Sequence, residues 1–299
     1  VSYPFVPNLV GNYVLEATIS TENDPNITDN TKSVIFSVAA SLSGNYTVGA
    51  ASTYKTINEA LNAVYTRGVE GTVTFVLSDP VMNVGDINSD YAIDFSSSIS
   101  GFNISTDKIR FVPSQSLARL KGGVTLRLNS KTGLGIRFGS SINPPFANAP
   151  VYKVAPEHRR VYYPFNAKVE FDGGSNKSIR FVTGDVPTTQ TNNSLLYFAE
   201  GASNITIKNC IVEGGKTGSE IPLTLWNRER NDITYDNIDN LSACILIRNL
   251  PPMDNMGLNK SYGLDTLVNK NIIIENNSIE NGGYGIVSLG IGGLYNVGE

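Results

Sequence analysis

The sequence predicts an all-β chain, the larger part of it a right-handed parallel β-helix, and three observations carry that expectation. Beyond Gly71 the apolar runs are short, alternate with polar residues and stop at Gly, Asn, Asp or Ser, with no long helical pattern between them. A template then recurs: SNITIKNCIVEGG (203–215) and KNIIIENNSIENGG (270–283) both run from Asn through alternating β-branched residues to an Asn turn, a second short strand and Gly-Gly. NDITYDNIDN (231–240) is a weaker copy, so the steps of 27 and 40 residues read as two coils. Finally, 14 of the 33 asparagines fall between Asn204 and Asn281. Asparagine tolerates the left-handed backbone of tight turns and hydrogen-bonds to its copy one coil away.

Composition sets the outer limits. A chain of 299 residues holds one large β body, or a body plus a smaller module. With 17% charged residues and a net charge of −4, it lacks the positive field that nucleic acid or an anionic membrane requires. No apolar run approaches the roughly 20 residues that span a bilayer, and VSYPFVPNLVGNY lacks the order of a signal peptide. A strand-like start at Val1 and a repeat-like segment running to Glu299 read as a piece of a longer protein. Cys210 and Cys244 have no CxxC spacing; two small core side chains and a single disulfide both fit.

The elements follow in order. Tyr13 to Ser20 and Ser33 to Val38 alternate as two strands around an Asx-rich loop, a hairpin that cannot bury a core alone. Ile57, Leu61 and Val64 share one helical face, and Thr56 with Glu59 makes the capping box that starts a helix ending near Arg67-Gly68. Such a helix suits the open apolar end of a first coil. A strand from Thr72 to Leu77 comes next, and the stretch from Asp79 to Pro164 follows the template poorly. Asp172-Gly173-Gly174 reads as a tight turn, Asn209 with Asn276 or Asn277 as a turn ladder, and LPPMDNMGLNKSYGLD as an extruded loop.

Two stretches carry a resemblance. Gly11, Tyr13, Asp29-Asn30 and Val38 fall where the last two strands of immunoglobulin-like modules of the CARDB type, strung along exported bacterial proteins, have theirs. SGNYTVG, Tyr54-x-Thr56-Ile57-x-Glu59-Ala60 and the strand GTVTF resemble the opening of parallel β-helix regions in secreted surface proteins of Bacteroidota. The resemblance implies residues 1–40 as the end of an Ig-like module and 41–299 as a capped β-helix. It implies export by the type IX system, an extracellular or cell-surface place, and neighbouring modules of the same larger chain as partners. A structural or adhesive role follows, with polysaccharide or envelope components as ligands.

A glycosidase needs two carboxylates about 5–10 Å apart, and the candidates Asp172, Glu213, Asp232, Asp236, Asp239, Glu275 and Glu280 sit beside Gly or Asn at expected turns. The single histidine, His158, lies in the basic loop PEHRRVYY. No catalytic cluster stands out, so a non-enzymatic reading leads; a β-helix polysaccharide lyase or glycoside hydrolase is the alternative, and a filament or surface-layer subunit the third. Asp86, Asn88 and Asp90 alternate as in a calcium loop, although Tyr91 and Ser97 replace the glycine and the glutamate such a loop needs. A polar loop is the competing reading, and no other cofactor is expected. Trp226, Tyr162 and Tyr163 are candidate sugar-stacking rings that core packing explains equally well. Asp265-Thr266-Leu267 matches a short O-glycosylation pattern of Bacteroidota, and Asn-x-Ser/Thr sequons recur from Asn26 and Asn45 onward.

Overall fold

The computed structural model describes residues 9–19, 30–96, 98–139, 141–142, 162–163, 165–185, 194–199, 201–215, 243–248 and 269–289. The hairpin comes first: β1 (Gly11–Thr18) pairs antiparallel with β2 (Thr31–Val38), Gly11 opposite Val38 and Thr18 opposite Thr31. Each strand begins two residues ahead of the expected bounds. Period-two alternation puts Tyr13, Leu15, Val34 and Phe36 on one face and Asn12, Val14, Glu16, Ser33, Ile35 and Ser37 on the other. The Tyr13 and Phe36 rings stack at 5.5 Å.

β3 (Leu42–Val48) leads into α1 (Ile57–Arg67). Thr56 Oγ1 accepts the Glu59 N–H at 3.1 Å, the N-cap that the sequence expects. The Glu59 carboxylate reaches back one residue further than a standard capping box, accepting the Lys55 N–H at 2.7 Å. Gly68, at φ 75°, ends the helix, and Ile57, Ala60, Leu61 and Val64 are its buried face.

From here the chain makes five passes of three strands. They are β4 (Val69–Leu77), β5 (Val81–Asp86) and β6 (Tyr91–Phe95); then β7 (Lys108–Pro113), β8 (Val124–Ser130) and β9 (Leu134–Phe138). A short antiparallel pair, β10 (Ser141–Ile142) with β11 (Tyr162–Tyr163), intervenes. Then come β12 (Val169–Asp172), β13 (Ile179–Thr183) and β14 (Ser194–Phe198); β15 (Ser203–Lys208), β16 (Cys210–Glu213) and β17 (Ala243–Arg248); and β18 (Lys270–Glu275), β19 (Ser278–Glu280) and β20 (Tyr284–Leu289). Consecutive strands go to different sheets in rotation. The first sheet is β18-β15-β12-β7-β4-β3, the second β19-β16-β13-β8-β5 and the third β20-β17-β14-β9-β6, with every pairing in them parallel. The chain is mostly β with one α-helix among the described residues, as an all-β reading requires.

The passes are unequal. Val73 lies opposite Ile109, Ile109 opposite Val169, Val169 opposite Ile205 and Ile205 opposite Ile272, steps of 36, 60, 36 and 67 residues. This corrects the expected two coils between Asn204 and Asn271. β15 pairs directly with β18, so the interval is a single pass, and NDITYDNIDN lies outside the described residues. The stretch that followed the template poorly holds most of the first two passes. Its turns use glycine at positive φ, at Gly122 and Gly133, where later passes use asparagine.

All three sheets send side chains into one apolar core. Two aromatic columns run through it across neighbouring passes. In the first sheet, Phe75, Phe111 and Phe171 stand 5.3 and 4.5 Å apart; in the third, Phe95, Phe138 and Phe198 stand 5.1 and 5.1 Å apart. Tyr197, Leu246 and Val287, on the outward face of the third sheet, belong to a second buried cluster. α1 covers the edge of β6: Asn58 Nδ2 donates to Ala92 O at 3.3 Å and Tyr65 Oη to Asp94 O at 3.1 Å. Those carbonyls would otherwise form an open sheet edge. No helix among the described residues is long and apolar enough to cross a membrane.

Candidate functional site

Parallel register puts side chains of successive passes side by side, about 4.8 Å apart, and on the outward face of the first sheet this gathers five charged groups. Arg110 lies opposite Glu170, and Asp172 opposite Lys208. Glu170 is 5% exposed. Its Oε1 accepts from Arg110 Nε at 2.9 Å, its Oε2 from Lys108 Nζ, and Lys208 Nζ stands 3.6 Å from Oε1. Asp172 Oδ2 faces Lys208 Nζ at 3.3 Å and Arg110 Nη2 at 3.6 Å. Its Oδ1 accepts from the Gly174 N–H at 3.0 Å and from Asn209 Nδ2 at 2.9 Å.

Both carboxyls are held below their ordinary range. Burial alone would raise Glu170, and the hydrogen bonds and charges of Lys108 and Arg110 outweigh it. For Asp172, burial is outweighed by Asn209, Gly174 and Lys208. Lys208, which burial would lower, is raised by Asp172 and Glu170. Acids and cations thus converge on one face, as the enzyme alternative requires. A general acid at neutral pH, however, needs a raised carboxyl, and every oxygen of these two is already engaged.

A second network lies on the second sheet. Arg180 Nη1 pairs with Glu213 Oε2 and stands 3.9 Å from Glu280 Oε2, while Asn281 Nδ2 donates to Glu213 Oε1 at 3.0 Å. Lys177 Nζ donates to Ser278 Oγ at 3.2 Å.

The asparagine turns link the passes. Asn276 Nδ2 donates to Asn209 Oδ1 at 2.8 Å, and Asn209 donates in turn to Asp172, giving a three-pass ladder. Asn277 does a different job, accepting the Cys210 N–H at 2.8 Å and donating to Ile207 O at 2.8 Å. Asn271 Nδ2 donates to Asn204 Oδ1 at 3.0 Å. Asn204, Asn209, Asn271, Asn276 and Asn281 all hold φ between 50° and 58°.

Asp86, Asn88 and Asp90 form the turn between β5 and β6. Asp86 Oδ1 accepts the Asn88 N–H at 2.7 Å and Asn88 Nδ2 at 2.8 Å, an Asx-turn, while the Asp90 carbonyl accepts from Thr132 Oγ1. Among the described residues no group of three or more His, Cys, Asp or Glu could hold a metal. Cys210 and Cys244 are free and buried, and burial pushes the Cys210 thiol up to about 12. Tyr162 and Tyr163 form the strand β11. Trp226, His158, Asp232, Asp236, Asp239 and the Asp265 triplet lie outside the described residues.

Sequence reasoning named Asp172 as a turn residue and a candidate acid, and Asn209 as a ladder residue, but missed Glu170 and the three cations around them. Aligning KIRF, KVEFD and ITIK by their inward positions brings Lys108, Arg110, Glu170, Asp172 and Lys208 onto one outward face. Compared with protein-family models, with curated proteins and with solved structures, the chain matches none.

Proposed function

We propose that the three sheets are the faces of a right-handed parallel β-helix that serves as a non-catalytic structural or adhesive module of a large exported bacterial surface protein. The hairpin β1–β2 is then the end of an Ig-like module ahead of it. One observation carries this reading: five charged groups of the first sheet's outward face are satisfied by one another. Glu170 and Asp172 hold Lys108, Arg110 and Lys208 across three passes, so the groups that would do chemistry hold the stack together. The asparagine ladders and aromatic columns support the same reading, since all three lie along the direction in which passes stack.

The convergence itself favours a second reading, a lyase or hydrolase of polysaccharide. Incubating the purified chain with acidic and neutral polysaccharides, with and without calcium, separates the two. The structural module yields neither new reducing ends nor the ultraviolet absorbance of an unsaturated uronide. Turnover that Arg110→Ala or Glu170→Gln abolishes, while the variants keep their strand content by circular dichroism, would sink it in favour of the enzyme.

A further inference from the structure

The turn between β19 and β20 carries the only Asn–Gly step in the 299-residue sequence, Asn281–Gly282. Both residues are exposed. Asn281 holds φ 55°, and its side-chain amide ties the fifth pass to Glu213 of the fourth. The Gly282 N–H has no hydrogen-bond acceptor among the described residues. Glycine is also imposed here by packing, because a Cβ at 282 would lie 2.6 Å from Cys244 Sγ and 2.6 Å from Tyr284 O.

We propose that Asn281–Gly282 is a site of spontaneous deamidation, and that its product releases the fifth pass from the fourth. The Gly282 amide nitrogen attacks Asn281 Cγ, the new N–C bond forms as the bond to Nδ2 breaks, and the amide leaves as ammonia. The attacking nitrogen gives up its proton to solvent. Water then opens the cyclic imide at either carbonyl, leaving aspartate or isoaspartate; nothing is oxidised or reduced. The product replaces a donor by a carboxylate against Glu213, with Glu280 alongside and Arg180 already shared between those two. Isoaspartate adds a backbone carbon between β19 and β20, so the two strands no longer keep register with β16 and β17 together.

Neighbouring turns lack this combination. At Asp172–Gly173 the glycine N–H donates to Lys208 O at 3.1 Å, and the carboxylate is held ionised by its surroundings. At Asn209 the next N–H is committed to Asn277 Oδ1.

The test is to hold the full chain at mildly alkaline pH over weeks and map its peptides by mass spectrometry with isoaspartate detection, beside a guanidinium-unfolded control. Conversion is expected in the folded chain in the Asn281 peptide ahead of every other asparagine, and is lost in Asn281→Gln. Conversion at Asn281 no faster than at Asn204 or Asn209, or none while the unfolded control converts, overturns the site. For the release, Asn281→Asp is expected to lower the Tm and to speed hydrogen exchange in β18, β19 and β20. Its effect should be smaller in a Glu213→Gln background. An Asn281→Asp chain that melts and exchanges like the parent overturns the release.

Discussion

Glu170 shows how a single buried charge is made tolerable: three cations from two neighbouring strands surround one carboxylate that solvent barely reaches. Glu170→Gln leaves Lys108 and Arg110 facing an amide. Because both cations keep some solvent contact, the cost is about 2 kcal/mol in urea melts, less than for a fully buried pair. The pH dependence follows from the direction of the shift. A folded pKa below the unfolded one makes stability complete above the ordinary glutamate value of about 4.3 and removes it as pH falls through the lower folded value. Acid titration of the parent and of Glu170→Gln should therefore show two stability curves that are apart at neutral pH and converge at low pH. A gap that persists unchanged into acid would show that the charge is not the cause. In the core, Phe111 stacks on Phe171 and packs at a tilt against Phe75, and Phe111→Ala should cost about 3–5 kcal/mol by the same melts.

Ladders and cap work at the level of elements. Asn209 is bonded on both sides, to Asp172 and Asn276, whereas Asn276 ends the ladder among the described residues. Both need the left-handed backbone. Asn209→Ala should thus cost about 2 kcal/mol and Asn276→Ala about 1 kcal/mol, a ranking that denaturant melts check. α1 hides the first end of the stack, and Leu61→Asp would place a charge in its buried face and lift it from β6. Light scattering should then show association through the uncovered edge. The helix was legible because its capping residues and its apolar spacing are both local signals. β5 was not, because Met82 and Val84 are only two inward residues in VMNVGD, too short an alternation to stand out before the neighbouring strand is known. The ladder turns were visible as asparagines in a repeated frame. The charged face was not, since its members come from three passes whose spacing in sequence is irregular, and only the register joins them.

Taken as a whole, the molecule is a stack in which each pass touches its neighbours, so stability is a sum of nearest-neighbour terms and the ends open first. Among the described residues the fifth pass is the less buried one: Ile286 is half exposed, whereas its register neighbour Ile245 in the fourth pass is fully buried. Hydrogen exchange measured by mass spectrometry should be slowest in β7 and β12 and fastest, among the strands of the three sheets, in β18 and β20; uniform protection would contradict a stepwise stack. At this scale the sequence spoke for parallel short strands and a capping helix, yet it misjudged the number of coils between Asn204 and Asn271, because it counted residues along the chain where the register counts neighbours. That same inequality of passes has a consequence for growth. Rise per pass is set by backbone pairing at about 4.8 Å and owes nothing to how many residues are strung between one strand and its partner. A gene can therefore lengthen the connections after β9, β16 and β17 without altering which strands pair, and those connections become ground on which new sequence is tried while the strands keep their neighbours.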